Sequence, residues 1–183
     1  NSFPGVPSNT RVNMLTASSF DENTVFAVFN NHRAGDFKPY LFKSKDKGKT
    51  WQSIVGNLPE RGSVYCVKQD FIDANLLFVG TEFGAYFTND GGANWTQTTT
   101  SPPGGASEPT INASQGWFDL AIGIDPADPN VVIAGGLNFY RTLNGGETWS
   151  QITRWVGNTI NYVHADHHSV VWKGTQVLLA TDG

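Results

Sequence analysis

The sequence predicts an all-β protein built from repeated antiparallel sheets, and three observations support that prediction. Glycine occurs 20 times and proline 9 times in 183 residues, with a single methionine, a composition typical of many tight turns and few long helices. Short apolar segments recur along the whole chain. One turn motif occurs three times, with 44 residues (51 to 95) and then 54 residues (95 to 149) between its tryptophans, a spacing typical of repeat architectures.

The repeated turn motif has eight residues. Its copies span residues 44–51, 88–95 and 142–149, with the pattern Ser/Thr-x-Asp/Asn-x-Gly-x-Thr/Asn-Trp. The third residue can accept hydrogen bonds from backbone N–H groups of its own turn, and Asn144 keeps that acceptor without the charge. The glycine suits a backbone with positive φ, and the tryptophan is expected to anchor the next strand by packing. The structural residues of the motif are Asp46, Gly48 and Trp51; Asp90, Gly92 and Trp95; and Asn144, Gly146 and Trp149.

Each motif occupies the same place in a longer unit. An apolar strand precedes it at residues 23–28, 75–80 and 130–135, and a fourth such strand occurs at 176–180. An earlier strand comes before each of these strands, and the turn between the two is acidic in the first three units. The unit therefore predicts a four-stranded antiparallel sheet. We expect the units near residues 12–60, 61–110 and 116–160, with the start of a fourth at 161–183.

These features resemble the Asp-box (BNR) repeat β-propellers, a class that includes sialidases, xyloglucanase-type glycoside hydrolases, the sortilin ectodomain and a photosystem II assembly factor. Residues 37–51, 77–84 and 163–168 are most similar to a group of large secreted BNR-repeat proteins. The resemblance implies that residues 1–183 form part of one β-propeller domain whose four-stranded blades carry Asp-box hairpins. It also implies an extracytoplasmic location.

The number of blades predicts an incomplete ring. The chain holds about three and a half blades, whereas propellers close with about 4–8 blades. Open blades would expose sheet edges. We therefore expect that further blades of the same polypeptide, or a protein partner, complete the ring.

Composition argues against several classes of function. The net charge of −4 and only 12 Lys and Arg residues argue against nucleic-acid binding, which needs clustered positive charge. No apolar run approaches the ~18 residues of a transmembrane helix, and no motif indicates a cofactor. The only cysteine, Cys66, lies in an apolar run, so we expect a buried structural thiol.

Residues 164–168 hold three of the four histidines and form the first candidate site. On a strand, His164, Asp166 and His168 would face one side, where they could contact a ligand or bind Zn²⁺. The alternative is a structural polar cluster, because the segment leads directly into a predicted strand. The sequence favours the structural cluster over a metal site.

The carboxylates Glu82, Asp119 and Asp182 form the second candidate set. Glu82 and Asp182 follow threonine at the same place in their repeats, and an acid in a similar context is catalytic in the xyloglucanase-type enzymes that the chain resembles. Glycoside hydrolysis needs two carboxyl groups, about 5–5.5 Å apart for retention and about 6.5–9.5 Å apart for inversion. The alternative, which the sequence favours, is a solvated acid in a turn.

Two irregular segments are further candidates for ligand contact. Residues 97–115 lack periodicity and represent a long rim loop, a binding loop over the channel mouth, or a junction between non-adjacent stretches. Trp117, just beyond them, could stack on a sugar. Residues 30–36 interrupt the first unit and predict a polar surface loop, with a contact role as the alternative.

The sequence favours a non-catalytic binding or scaffold module of an extracytoplasmic protein, which contacts a protein or a glycan. The alternative is a glycoside hydrolase-like enzyme that acts on a polysaccharide with paired carboxylates. The repeated turn motif favours neither function, because it is a structural device.

Overall fold

The computed structural model describes residues 3–98, 121–157 and 160–182. These residues form three four-stranded antiparallel sheets and one two-stranded sheet, with no α-helix and a single 3-10 helix at His32–Ala34. None of them forms a helix long and apolar enough to cross a membrane. The prediction of an all-β fold with four-stranded sheets is confirmed.

The strands of every sheet lie side by side in chain order. The first sheet contains β1 (Arg11–Ala17), β2 (Val25–Asn31), β3 (Asp36–Ser44) and β4 (Gln52–Ser53). The second contains β5 (Val64–Gln69), β6 (Leu77–Thr81), β7 (Gly84–Thr88) and β8 (Thr96–Gln97). The third contains β9 (Ala121–Ile124), β10 (Val132–Gly135), β11 (Phe139–Thr142) and β12 (Ser150–Gln151). The fourth contains β13 (His167–Lys173) and β14 (Gln176–Thr181).

The first strands of neighbouring sheets lie next to one another. β5 contacts both β1 and β9, and β9 contacts β13. The sheets therefore extend outward from their first strands, which is the arrangement of adjacent blades in a β-propeller. Within the described ranges, three blades and two strands of a fourth form an incomplete ring, as the sequence predicts.

Apolar side chains fill the space between each pair of neighbouring sheets. Such burial is the main favourable contribution to folding, at about 25 cal/mol per Å² of apolar surface. The principal buried residues are Phe26, Leu41, Leu77 and Trp95 between the first and second sheets; Phe78, Ile124, Val132 and Trp149 between the second and third; and Ile133, Phe139 and Val170 between the third and fourth.

Burial along the strands reflects the place of each sheet in the ring. β6 is buried along its whole length, because neighbouring sheets cover both of its faces. β1 is mostly exposed. The outer face of the first sheet is covered by Phe3, whose ring centroid lies 4.4 Å from that of Phe29 and 4.7 Å from that of Trp51. Nothing in the repeats indicates this cover, because Phe3 precedes the first of them.

The hydroxyl group that opens each turn motif organises the turn. Its oxygen accepts the backbone N–H of the motif glycine, at 2.8 Å for Ser44, 3.2 Å for Thr88 and 3.0 Å for Thr142. The three glycines have φ values of +82°, +102° and +99° in chain order. A residue with a Cβ resists this conformation, which explains the glycine in every copy.

The third residue of each motif stabilises the second half of the turn by a hydrogen bond. Its side-chain oxygen accepts the backbone N–H of the seventh residue, at 2.8 Å for Asp46 and at 2.9 Å for Asp90 and Asn144. The hydroxyl and backbone N–H of Thr50, with help from Ser44, lower the pKa of Asp46 to about 2. Because Asn144 makes the same backbone bond, the turn does not require the charge.

Candidate functional site

A cavity of about 590 Å³ lies beside the first strands of the sheets. This volume is within the range of small-molecule sites, about 300–1,000 Å³. The first, second and fourth sheets all contribute to its wall. The residues that characterise it are Arg11, Asn13, Asn30, Arg33, Tyr65 and His168.

Three of these residues occupy the same structural position. The pairing between the first two strands of a sheet shifts by one residue at Asn13 in the first sheet, at Tyr65 in the second and at His168 in the fourth. A bulge leaves its extra residue unpaired in the ladder and changes the direction of its side chain. The corresponding part of the third sheet lies outside the described residues. Repetition of the bulge therefore brings three polar side chains to one cavity.

A second position is repeated opposite the bulge, at the end of the second strand. It is occupied by Asn30 in the first sheet, Glu82 in the second and Asp182 in the fourth. Alignment of the repeats already places Glu82 and Asp182 together, and the strand register adds Asn30. In the fourth sheet the two positions are joined by a hydrogen bond, with 2.7 Å between His168 Nε2 and an Asp182 carboxylate oxygen.

In the first and second sheets, the residues at the bulge and opposite it make different contacts from those in the fourth. The side-chain amide of Asn13 donates to the Tyr65 carbonyl oxygen at 2.5 Å. Burial raises the pKa of Tyr65, the neighbouring Asn30 amide opposes this shift, and the charge on Glu82 adds to it. At neutral pH the Tyr65 hydroxyl is therefore protonated and available as a donor.

The 3-10 helix fixes the orientation of the Asn30 amide. Asn30 Oδ1 accepts the backbone N–H of His32 at 3.0 Å and also contacts Nδ1 of the same ring. Since an amide oxygen only accepts, the His32 ring carries its proton on Nδ1. The opposite end of the amide, Nδ2, is buried and forms no hydrogen bond with any described residue, although Asn30 is only 4% exposed.

The Tyr65 hydroxyl and Glu82 Oε1 are likewise buried without a hydrogen bond to the described residues. Tyr65 is 8% exposed and, like Asn30, lines the cavity. Burial of a polar atom without a hydrogen bond costs free energy, so such atoms are uncommon in native structures. Asn30 and Tyr65 therefore place two neighbouring polar groups on one wall of the cavity.

The histidine-rich segment leads into a strand, and most of its residues precede that strand. β13 begins only at His167, and Asp166 has a φ of +66°. The alternation of a strand therefore does not place His164, Asp166 and His168 on one face. In the part of the chain that the structure describes, no group of three His, Cys, Asp or Glu residues is arranged to hold a metal ion.

His167 is a core residue. It is fully buried, its ring stacks on Phe139 with 3.7 Å between centroids, and its Nε2 donates to the His164 carbonyl oxygen at 2.9 Å. Burial lowers the pKa of His167 to about 4. Its imidazole is therefore neutral at physiological pH and contributes to packing.

The remaining sequence candidates have different positions. Glu82 and Asp182 lie at equivalent places in two different sheets, and Asp182 is held by His168. Trp117 and Asp119 lie outside the described residues, as does most of the 97–115 segment. Sequence analysis missed Asn13 and Tyr65, because no residue type marks a bulge. Asn30 shares an alignment column with Glu82 and could have been found there.

Comparison with known proteins supports the fold. A xyloglucanase from Paenibacillus sp. is 26% identical over 152 residues, which cover 72% of this chain and 14% of that enzyme. An ancestral GH74 enzyme matches with a TM-score of 0.63 and 21% identity, over 92% of this chain and 21% of that chain. The fold is a β-propeller. YCF48 bound to a D1 peptide also matches, with a TM-score of 0.52 and 17% identity over 81% of this chain and 41% of that one.

The chain spans less than half the length of each of these three proteins. No family model matches its sequence. At these identities the similarity to the two solved structures shows the β-propeller fold alone.

Proposed function

We propose that the chain is a non-catalytic binding module and that its ligand binds in the polar cavity beside the first strands. The observation that carries this proposal is the repeated bulge, which directs Asn13, Tyr65 and His168 from three sheets to one place. If the cavity wall had only a structural role, polar side chains would not need to point into the cavity. The neighbouring Asn30 amide and Tyr65 hydroxyl, which can both donate to a ligand, support a ligand at this position.

The proposed partner is a protein or a glycan. YCF48, which has a similar fold, is bound to a peptide in its structure. The Paenibacillus protein with 26% identity is a xyloglucanase. These two matches support both partner types and do not choose between them.

Binding to peptide and glycan arrays, followed by affinity measurement, tests the proposal. Replacing Tyr65 with phenylalanine removes only the hydroxyl, so Tyr65→Phe should weaken the wild-type interaction by about threefold to tenfold, the equivalent of one hydrogen bond. Tyr162→Phe is the matched control, because Tyr162 is 64% exposed and is not among the residues that line the cavity. Equal affinity of wild type and Tyr65→Phe would contradict the proposed site.

A glycoside hydrolase is the second candidate function. The identity with a xyloglucanase and the equivalent positions of Glu82 and Asp182 favour it. The hydrogen bond between Asp182 and His168, and the amide of Asn30 at the equivalent place in the first sheet, favour binding instead. Turnover of xyloglucan that is lost in Glu82→Gln and Asp182→Asn, and kept in the exposed control Glu60→Gln, would establish the enzyme.

Further proposals rest on the resemblance of the turn motifs to Asp boxes. We propose that the chain belongs to the BNR-repeat propellers, with blades near residues 12–60, 61–110, 116–160 and 161–183, and that the protein is extracytoplasmic. Further blades of the polypeptide or a protein partner would complete the ring. The exposure of β1, and the pairing of β14 with β13 alone among the described strands, support this completion. Cell fractionation and the mass of the natural polypeptide test these proposals.

A further inference from the structure

We propose that the cavity selects a ligand that carries a carboxylate group, which Arg11 and Arg33 bind through their guanidinium groups. This inference rests on the proposed function, because it names the chemistry of the ligand at the same site. Both arginines line the cavity, and neither forms an ion pair with a described residue. Two exposed guanidinium groups without a described ion-pair partner are available to an anionic ligand in the cavity.

The charge of the cavity wall differs from that of the whole protein. The chain has a net charge of −4, yet the described residues of the wall include two arginines and none with a carboxylate. Guanidinium groups match carboxylates in a bidentate geometry. A partly enclosed site with one sign of charge also concentrates ligands of the opposite sign.

The neutral donors of the wall fit the same ligand. Asn30 and Tyr65 are each more than nine-tenths buried, and the Asn30 amide lies beside the Tyr65 hydroxyl, so both can donate to one acceptor. An ionised carboxylate offers about four acceptor positions, so one group can satisfy these donors together with an arginine. A neutral ligand would pair with the amide and the hydroxyl but would leave both guanidinium groups without a counter-charge.

Two acids near the cavity already have other partners, whereas Glu82 Oε1 has no hydrogen bond with a described residue. The Asp182 carboxylate binds His168 Nε2 at 2.7 Å. The Asp36 carboxylate accepts the Tyr40 hydroxyl at 2.7 Å. Neither of them forms an ion pair with Arg11 or Arg33 in the described structure.

Calorimetric titration of the protein with two matched pairs of probes tests the inference. The first pair is trigalacturonate and its methyl ester, and the second is acetyl-trialanine and its C-terminal amide. Members of a pair differ in the carboxylate, so the pairs separate the effect of charge from that of a sugar or peptide skeleton. We expect at least one acid to bind about tenfold or more tightly than its neutral partner, and to bind more weakly as ionic strength rises.

Substitution of the arginines tests whether they cause the preference for the acid over its neutral partner. Arg11 and Arg33 are exposed, so Arg11→Gln and Arg33→Gln should fold normally, as circular dichroism can verify. Each should weaken binding of the acid by about tenfold and should change binding of the neutral partner little. Arg141→Gln is the matched control, because Arg141 is an exposed arginine of β11 and is not among the residues of the cavity wall.

Several results would overturn the carboxylate inference. These are equal affinity for the acidic and neutral members of both pairs, acid binding that neither arginine variant weakens, tighter binding of inorganic phosphate than of either acid, and no binding of either acid. If a neutral xyloglucan heptasaccharide binds instead and Tyr65→Phe weakens it, the proposed binding function stands and only the carboxylate inference fails. If no probe and no array ligand binds, both fail.

Discussion

At the scale of single residues, the threonine that opens the second turn motif makes a defined contribution to stability. Thr88 is 1% exposed, and its hydroxyl oxygen accepts the backbone N–H groups of Gly92 at 3.2 Å and of Asp90 at 3.3 Å. Valine has the same shape but no acceptor. Thr88→Val should therefore lower the free energy of unfolding by about 1–3 kcal/mol, as measured by denaturant titration.

Thr96 provides the control for this substitution. It lies exposed on β8, so Thr96→Val should change the free energy of unfolding by less than about 0.5 kcal/mol. Equal stability of the two variants would show that the Thr88 hydroxyl does not hold the turn.

A second residue, His167, links stability to pH. Unfolded histidine titrates near pH 6.5, whereas burial lowers the pKa of His167 to about 4 in the folded protein. Between these values the unfolded state binds a proton that the folded state does not. The contribution of His167 to the free energy of unfolding is therefore constant above about pH 6.5 and falls as the pH decreases toward about 4.

His167→Phe removes this titration and keeps a ring against Phe139. The difference in free energy of unfolding between wild type and His167→Phe should be independent of pH above about 6.5. As the pH falls to about 4, the wild type should become less stable relative to His167→Phe. Chemical unfolding at a series of pH values measures it. Parallel stability curves for the two proteins would show that His167 is protonated in the fold or is exposed.

At the scale of elements, the turn motif of the second sheet is fitted against the first sheet. A Cβ on Gly92 would lie 2.8 Å from Ile54 Cβ and 3.0 Å from the Ile54 carbonyl oxygen, and φ at Gly92 is +102°. Gly92→Ala combines backbone strain with a clash between sheets, so it should lower the free energy of unfolding by about 2–5 kcal/mol.

Gly174 separates these two effects. It lies in the β13–β14 turn with a φ of +60°, and nothing lies within 4 Å of a Cβ placed there. Gly174→Ala should therefore show the backbone cost alone, about 1–2 kcal/mol. If thermal or denaturant unfolding gave the two alanine variants the same stability, the Gly92 turn would not pack on Ile54.

The elements also show which features a sequence can and cannot predict. The strand expected at 75–80 is present as β6, because its apolar pattern reflects burial between two sheets. His164 precedes β13, which begins at His167, and Asp166 adopts a positive φ that no sequence pattern indicates. The cover that Phe3 provides over Trp51 depends on a tertiary contact outside the repeats.

At the scale of the whole molecule, the cavity exists only because three sheets meet. Arg11, Tyr65 and His168 lie far apart in the sequence and line the same space. The repeat alignment could predict that Glu82 and Asp182 are equivalent, because equivalence follows from spacing. It could not predict that bulges would direct Asn13 and Tyr65 inward, because a bulge depends on strand register.

Ligand binding at this cavity is tested most directly by nuclear magnetic resonance of the asparagine side-chain amides during titration with whichever of trigalacturonate and acetyl-trialanine binds in calorimetry. Asn13 and Asn30 line the cavity, whereas Asn94 and Asn144 belong to the turn motifs and are not among its lining residues. We predict saturable shifts of the Asn13 and Asn30 signals with the Asn94 and Asn144 signals unchanged. Shifts confined to Asn94 and Asn144, or no shift of Asn13 and Asn30 at saturation, would contradict a binding site in the cavity.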